Sequence, residues 1–176
     1  MGINENKIGF LRGQRQTRSY VPTPVAPEAL DALIEVARWT GSATNRQPWK
    51  FVVVDDREVL SALSRAKGGT EWIANAGAAF VILTEGETAE ASRFDAGRVA
   101  ERLLLGSNAV GLAGAIVSWS PGFGEETVRE LLGVPAGLWI YAAVIIGEPD
   151  TSQPKPTAKP NPRKPVEEIV VRNRFS

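Results

Sequence analysis

The sequence contains neither cysteine nor histidine, and these two absences remove more chemistry than any motif adds. Without cysteine there is no disulfide, thiolate nucleophile or thiolate metal site. Without histidine the usual general base near neutral pH is gone, along with the commonest metal ligand. Ser-His-Asp and Cys-His catalysis are both excluded. Net charge is missing too. The 20 basic and 20 acidic residues cancel, which argues against a surface built to wrap nucleic acid or coat an anionic membrane. No apolar run approaches the ~18–20 residues of a membrane span. Residues 1–7 lack the apolar stretch of a signal peptide. The expectation is a soluble, cytoplasmic protein. If it is an enzyme, a cofactor carries the hard chemistry, and no carboxylate pair stands at a spacing that argues for metal chemistry.

What remains suits one domain. A chain of 176 residues, 43% of them hydrophobic, is long enough to bury a real core. Residues 8–11 begin a short helical pattern that runs into the basic segment 12–18. Pro22 and Pro24 make the next stretch extended. Pro27 suits the first turn of a helix with Glu28 beside it, and Leu30, Leu33, Ile34 and Ala37 form one apolar face ending near Trp39. Residues 51–54 read as a buried strand stopped by Asp55 and Asp56. Val59, Leu60 and Leu63 support a short helix, residues 71–76 another, and residues 79–83 a second buried strand. The longest helix is expected over 92–110, with Ser92 and Asp95 at capping-box spacing. Three consecutive leucines, 103–105, make it apolar nearly all round and therefore buried. Strands are expected at 115–119 and 141–146, and a helix at 125–132 closed by Gly133. The elements mix without a regular βαβ period, which favours α+β. Five prolines and four basic residues make 154–165 an extended arm. A short helix follows over 165–170, with proline at its first position. An arm that ends in a new helix needs a surface to dock on, which a partner subunit could supply.

Three constellations carry candidate chemistry. In Arg15-Gln16-Thr17-Arg18 two arginines three apart could form a fork for a phosphate monoester. The competing reading is a solvated basic turn. Arg163-Lys164, just before the C-terminal helix, is a second basic pair near a helix N-terminus. Together the two suggest one phosphate gripped from distant parts of the chain. The loop 42–49, Ser-Ala-Thr-Asn-Arg-Gln-Pro-Trp, is rich in amides and hydroxyls that recognise hydrogen-bonding edges. Asn45 and Gln47 could read a ribityl chain or a heterocycle edge, with Ser42 capping the turn or bonding the ligand. Equally, the amides could satisfy local backbone groups, with Trp49 as core. Gly111-Leu112-Ala113-Gly114 would let backbone approach a flat ring closely, or simply mark a helix end entering a strand. It matches no nucleotide fingerprint. Asp95 and Glu101 read as helix surface or termini.

These residues together resemble the FMN-dependent nitroreductases. Residues 15–20, followed by Pro24-Val25, resemble the opening motif of that family. Residues 41–49 resemble its proline-serine-x-x-asparagine-x-glutamine-proline-tryptophan loop. Residues 111–114 resemble its glycine-leucine-glycine segment, and Arg163-Lys164-Pro165 with Glu167-Glu168 its C-terminal signature. Order and spacing agree across nearly the whole chain.

The resemblance implies a single domain over 1–176, α+β with a central, mostly antiparallel sheet flanked by helices. The arm, 151–176, would cross to the partner of a homodimer. It implies FMN at the subunit interface, its phosphate and ribityl chain bound by Arg15, Gln16, Arg18, Arg163 and Lys164. Ser42, Asn45 and Gln47 would reach the flavin from the other subunit, and Leu112 and Ala113 would lie near it. The implied reaction is ping-pong hydride transfer from NAD(P)H to an acceptor such as a nitroaromatic or quinone. Alternatives are a flavin sensor or carrier without turnover, or a flavin oxidase or dehalogenase. Three positions depart from the family pattern: Gln14 where a second arginine is usual, Gly41 where proline is common, and Ala113 where glycine is common. The interval between Leu83 and Ser92 leaves little room for a large lid.

Overall fold

The computed structural model describes residues 2–86, 89–152 and 162–175. Its centre is a four-stranded sheet of β1 (Trp49–Val54), β2 (Ala78–Thr84), β3 (Ala113–Val117) and β4 (Trp139–Gly147), in the order β1-β2-β4-β3. Every neighbouring pair is antiparallel, so the expected α+β class holds. β2 and β4 occupy the middle because both faces must be covered, and their unbroken apolar runs allow it. Successive side chains then divide between two cores. Ala79, Val81 and Leu83 of β2, with Ala143 and Ile145 of β4, join the cluster containing Leu60, Leu63, Ile73 and Val128. Ala78, Phe80 and Ile82, with Val144 and Ile146, join the cluster containing Leu30, Leu33, Val99, Leu103 and Leu104.

Helices supply the other half of each core. α2 (Pro27–Arg38) and α4 (Ala89–Ala109) cover one face. α3 (Arg57–Ser64), the 3₁₀ turn Glu71–Asn75 and α5 (Glu125–Leu132) cover the other. Local chemistry sets several boundaries. Asp56 caps α3 by accepting from Glu58 N at 2.8 Å and Val59 N at 3.0 Å. Gly133 ends α5 at φ 61°, left-handed geometry that favours glycine. α1 (Glu5–Gly13) is capped by Asn4 Oδ1, which accepts from Lys7 N at 3.1 Å. Nothing in α1 is buried.

Several expectations need correction. β1, expected to be buried, is an edge strand whose Phe51, Val52 and Val53 are only half-covered. The 71–76 helix is a 3₁₀ turn. The strand expected at 115–119 begins two residues earlier, so Trp119 lies beyond it, buried. α4 starts before Ser92, whose hydroxyl donates to Glu85 O at 2.6 Å instead of capping. Nor is α4 buried all round. Side chains advance about 100° per residue, so Leu103 and Leu104 face the core while Leu105 is half-exposed and Phe94, Arg98 and Arg102 are open. The C-terminal helix α6 (Val166–Ile169) has Pro165, extended at ψ 150°, as its cap rather than its first residue. Of the expected arm, 153–161 lie outside the described residues, and 162–165 have no regular structure.

Candidate functional site

The basic segment is an extended strip laid along the free edge of β3 and past the end of β4. Thr17 N donates to Gly114 O at 2.9 Å, Val21 N to Glu148 O at 3.0 Å, and Asp150 N to Ser19 O at 3.0 Å. Ile116 N donates to the Gln16 side chain at 3.1 Å. Tyr20, 3% exposed, anchors the strip from inside. Its hydroxyl lies 2.6 Å from Thr17 O and 3.1 Å from Ile145 O. Burial pushes its phenol far above the ordinary tyrosine range, against a smaller opposing pull from the Arg18 charge.

This anchoring sets where the cations go. A cleft of about 570 Å³ gathers Arg12, Gln14, Arg15 and Gln16 with Arg163, from the far end of the chain, and Glu101 of α4. Three guanidinium groups there face one carboxylate. Arg15 Nη1 donates to Arg12 O at 2.8 Å and Gln14 O at 2.6 Å, bridging the last turn of α1 to the strip. Gln14, the departure from the double arginine, turns its amide to Leu104 O at 3.3 Å. Arg15 and Arg18, the two arms of the possible fork, are not brought together in the cleft. Arg18 lies 5.8 Å from the centre of the Trp72 ring and donates to Gln16 Oε1 at 3.3 Å, outside the cleft lining. Lys164 is exposed and also off the lining. Arg12 was missed as a candidate, although it lies three residues before Arg15. Glu101, read as helix surface, is part of the cleft.

The loop 42–47 is built differently. Thr44, Asn45 and Gln47 all have left-handed φ, at 50°, 57° and 51°, a costly choice for three non-glycine residues. Ser42 Oγ accepts from Gln47 N at 2.8 Å, and Gln47 Nε2 donates to Asn45 O at 3.3 Å. These two side chains therefore do the local turn work that was one of the two readings of the loop. Asn45 does not, since its exposed side-chain amide has no partner among the described residues. Trp49 is half-buried against the α2–α4 core. Asp95, also read as helix surface, is 3% exposed, and its Oδ2 accepts from Ala43 N at 3.4 Å. Within one chain the loop is not part of the basic cleft.

The glycine-leucine segment follows its plainer reading. Gly111, at φ 80°, turns α4 towards β3. Leu112 N donates to Ser107 O at 2.8 Å, and Ala113 is buried opposite Gly147. Both neighbour the basic strip through Gly114, but neither lines the basic cleft.

A second cavity, about 620 Å³, was not foreseen. It is lined by Gly97 of α4, Ile116 of β3, Tyr141 of β4 and Trp119, with Arg93 and Glu125 among its polar groups. Trp119 Nε1 is buried there without a partner among the described residues. The hydrogen bond from Ile116 N to Gln16 joins this cavity to the basic cleft. No periodic pattern in the sequence marks it, because its lining comes from β2, α4, β3, α5 and β4 together with residues 118–121.

Residues 11–85 match the family model for the nitroreductase family. A Thermus thermophilus protein named NADH dehydrogenase is 29% identical over 195 aligned positions, covering 90% of this chain and 91% of its own length. A Bacillus subtilis protein named FMN reductase (NAD(P)H) is 28% identical over 170 positions, covering 85% and 68%. An FMN-dependent nitroreductase from Clostridium difficile superposes with a TM-score of 0.82 at 28% identity, covering 96% of this chain and 99% of that one. Over residues 11–85 the chain is similar to the nitroreductase family. The matched stretch holds the basic strip and the 42–47 loop. Among the described residues, no helix is long and apolar enough to cross a membrane.

Proposed function

We propose that this protein is an FMN-dependent oxidoreductase of the cytoplasm that passes hydride from NAD(P)H to a small acceptor, such as a nitroaromatic or quinone, in alternating half-reactions. The observation that carries this reading is the cleft in which Arg12, Arg15 and Arg163 converge from both ends of the chain. Guanidinium groups against a single carboxylate suit a phosphate ester, which they bind by charge-assisted hydrogen bonds. The adjoining cavity offers indole and phenol surfaces of the size a fused aromatic ring requires. The donor set therefore fits FMN, and the names of the relatives agree with it. Use of NAD(P)H supports a cytoplasmic setting, where that reductant is available.

Bound FMN would supply the redox chemistry. The chain's own residues bind and orient. Arg15 and Arg163 would hold the phosphate, and Gln16, fixed by Ile116 N, would meet the ribityl hydroxyls. Arg18 and Lys164 would act from the rim. Asn45 would reach a heterocycle edge from a second subunit, because its own chain keeps it out of the cleft. Leu112 and Ala113 act through the backbone that seats the strip.

A homodimer is part of the same reading. α1 and residues 162–175 bury nothing within one chain, yet they carry Phe10, Leu11, Val166, Ile169 and Phe175 as exposed apolar groups. A single domain over 1–176 whose arm, 151–176, docks on a second copy would cover both. The test is direct. Purified protein should be yellow and should be bleached anaerobically by NAD(P)H. Protein that cannot be reconstituted with FMN would overturn the reading, and flavin binding without NAD(P)H oxidation would leave a carrier instead of an enzyme.

A further inference from the structure

The 42–47 loop holds three non-glycine residues in left-handed backbone, a strain met by its own Ser42 and Gln47 contacts and by contacts from outside it. Residues 39–43 run against one face of α4, and three α4 side chains meet them. Arg102 Nη1 donates to Trp39 O at 3.1 Å. The Arg98 guanidinium lies beside Gly41, where a Cβ would come within 2.8 Å of its Nη2. Asp95 Oδ2 accepts from Ala43 N at 3.4 Å. Positions 95, 98 and 102 fall at i, i+3 and i+7, the spacing that stacks side chains on one helical face. Beyond the loop the chain is fixed again, by Glu85 N donating to Pro48 O at 2.8 Å.

Asp95 is the member of this row that solvent cannot replace. Its side chain is 4% exposed, and a buried carboxylate is costly unless it is bonded. Its partners are the Ala43 amide and Arg98 Nη1, the latter 3.5 Å from Oδ1. Ala43 is the residue before the first left-handed position, Thr44. We propose that Asp95 is a positioning residue for the flavin site, holding the 42–47 loop in its left-handed shape so that the unpaired Asn45 amide is presented to the cofactor. It touches no ligand itself. This rests on the flavin reading above.

Two measurements test it, and one needs no flavin. In apo protein, tryptic cleavage after the exposed Arg46 reports release of the loop. Asp95→Ala should speed that cleavage and weaken FMN about tenfold, the loss expected for a hydrogen bond to a charged group. Asp95→Asn keeps an oxygen for the Ala43 amide and should restore both towards wild type. Cleavage unchanged in Asp95→Ala overturns the brace. Faster cleavage with unchanged FMN affinity overturns its role in binding. A lower melting temperature with both readouts unchanged means that Asp95 only supports the fold, which also overturns the proposal. If Asp95→Ala does not fold, Arg102→Ala replaces it at the exposed end of the row. A rise in cleavage after Arg46 supports the brace, and no rise overturns it. Wild-type protein that binds no FMN would defeat the flavin reading alone, since the cleavage comparison still judges the brace.

Discussion

The basic strip, residues 14–18, and the loop 42–47 carry the same kinds of side chain, arginine and amides, but the fold holds them by opposite means. The strip has ordinary extended backbone. It borrows hydrogen-bonding groups from the edge of β3, with Tyr20 buried beneath it. The loop has three residues in left-handed conformations and is kept in place by side chains of α4. Extending a sheet edge costs little, because the edge already offers unpaired groups. Holding a strained loop takes dedicated braces, and such strain tends to persist where a function needs it.

Substitutions can break this contrast or sharpen it. The largest effect is expected from Arg15→Ala, which should weaken FMN by about 1.5–3 kcal/mol and riboflavin far less, since only FMN carries a phosphate. Parallel titrations of the two ligands check it, and equal losses would remove Arg15 from the phosphate site. Tyr20→Phe deprives Thr17 O and Ile145 O of their donor. It should destabilise the fold by about 1–2 kcal/mol in urea denaturation. Because the phenol is raised in the folded state, the stability it contributes is present below the ordinary tyrosine range and lost as pH rises beyond it. Wild type and Tyr20→Phe should therefore converge in stability at strongly alkaline pH.

The loop should respond in the other direction. Thr44→Gly relieves a β-branched residue at φ 50° and should stabilise the protein by about 1 kcal/mol in the same assay. The smallest change belongs to Gly41→Ala. The added methyl meets only the end of Arg98, a flexible group that can move aside, so stability should stay within about 0.5 kcal/mol. A larger loss would mean that Arg98 is fixed more firmly than its exposure implies.

How legible each region was in the sequence follows from the same contrast. The two central strands could be read because their apolar runs are long and unbroken. α2 could be read because Pro27 and the spacing of Leu30, Leu33 and Ala37 agree. The edge position of β1 could not, since a run of valines looks the same at the edge as in the middle. Arg15, Gln16 and Arg163 were picked out as candidates by residue type and order, and the structure places them in one cleft. The placement of Arg18 outside the cleft lining could not be read, because sequence spacing does not show that its guanidinium lies over Trp72, 54 positions on. Asp95 was read as surface for the same reason. Its partner amide lies 52 positions away, and an acidic residue on a helix gives no sign that it is buried. The 620 Å³ cavity had no local signature at all.

One feature of the periphery bears on how the protein behaves in solution. α1 buries none of its own residues, so within a lone chain it is held by little more than its backbone bonds, the Asn4 cap and the Arg15 contact to Arg12 O, and isolated helices this short are marginal in water. In the homodimer proposed above its order would come from self-association, and mass action would tie the stability of the whole molecule to its own concentration. Dilution should lower the melting temperature, and the N-terminal helix should be the first part of the fold to fray.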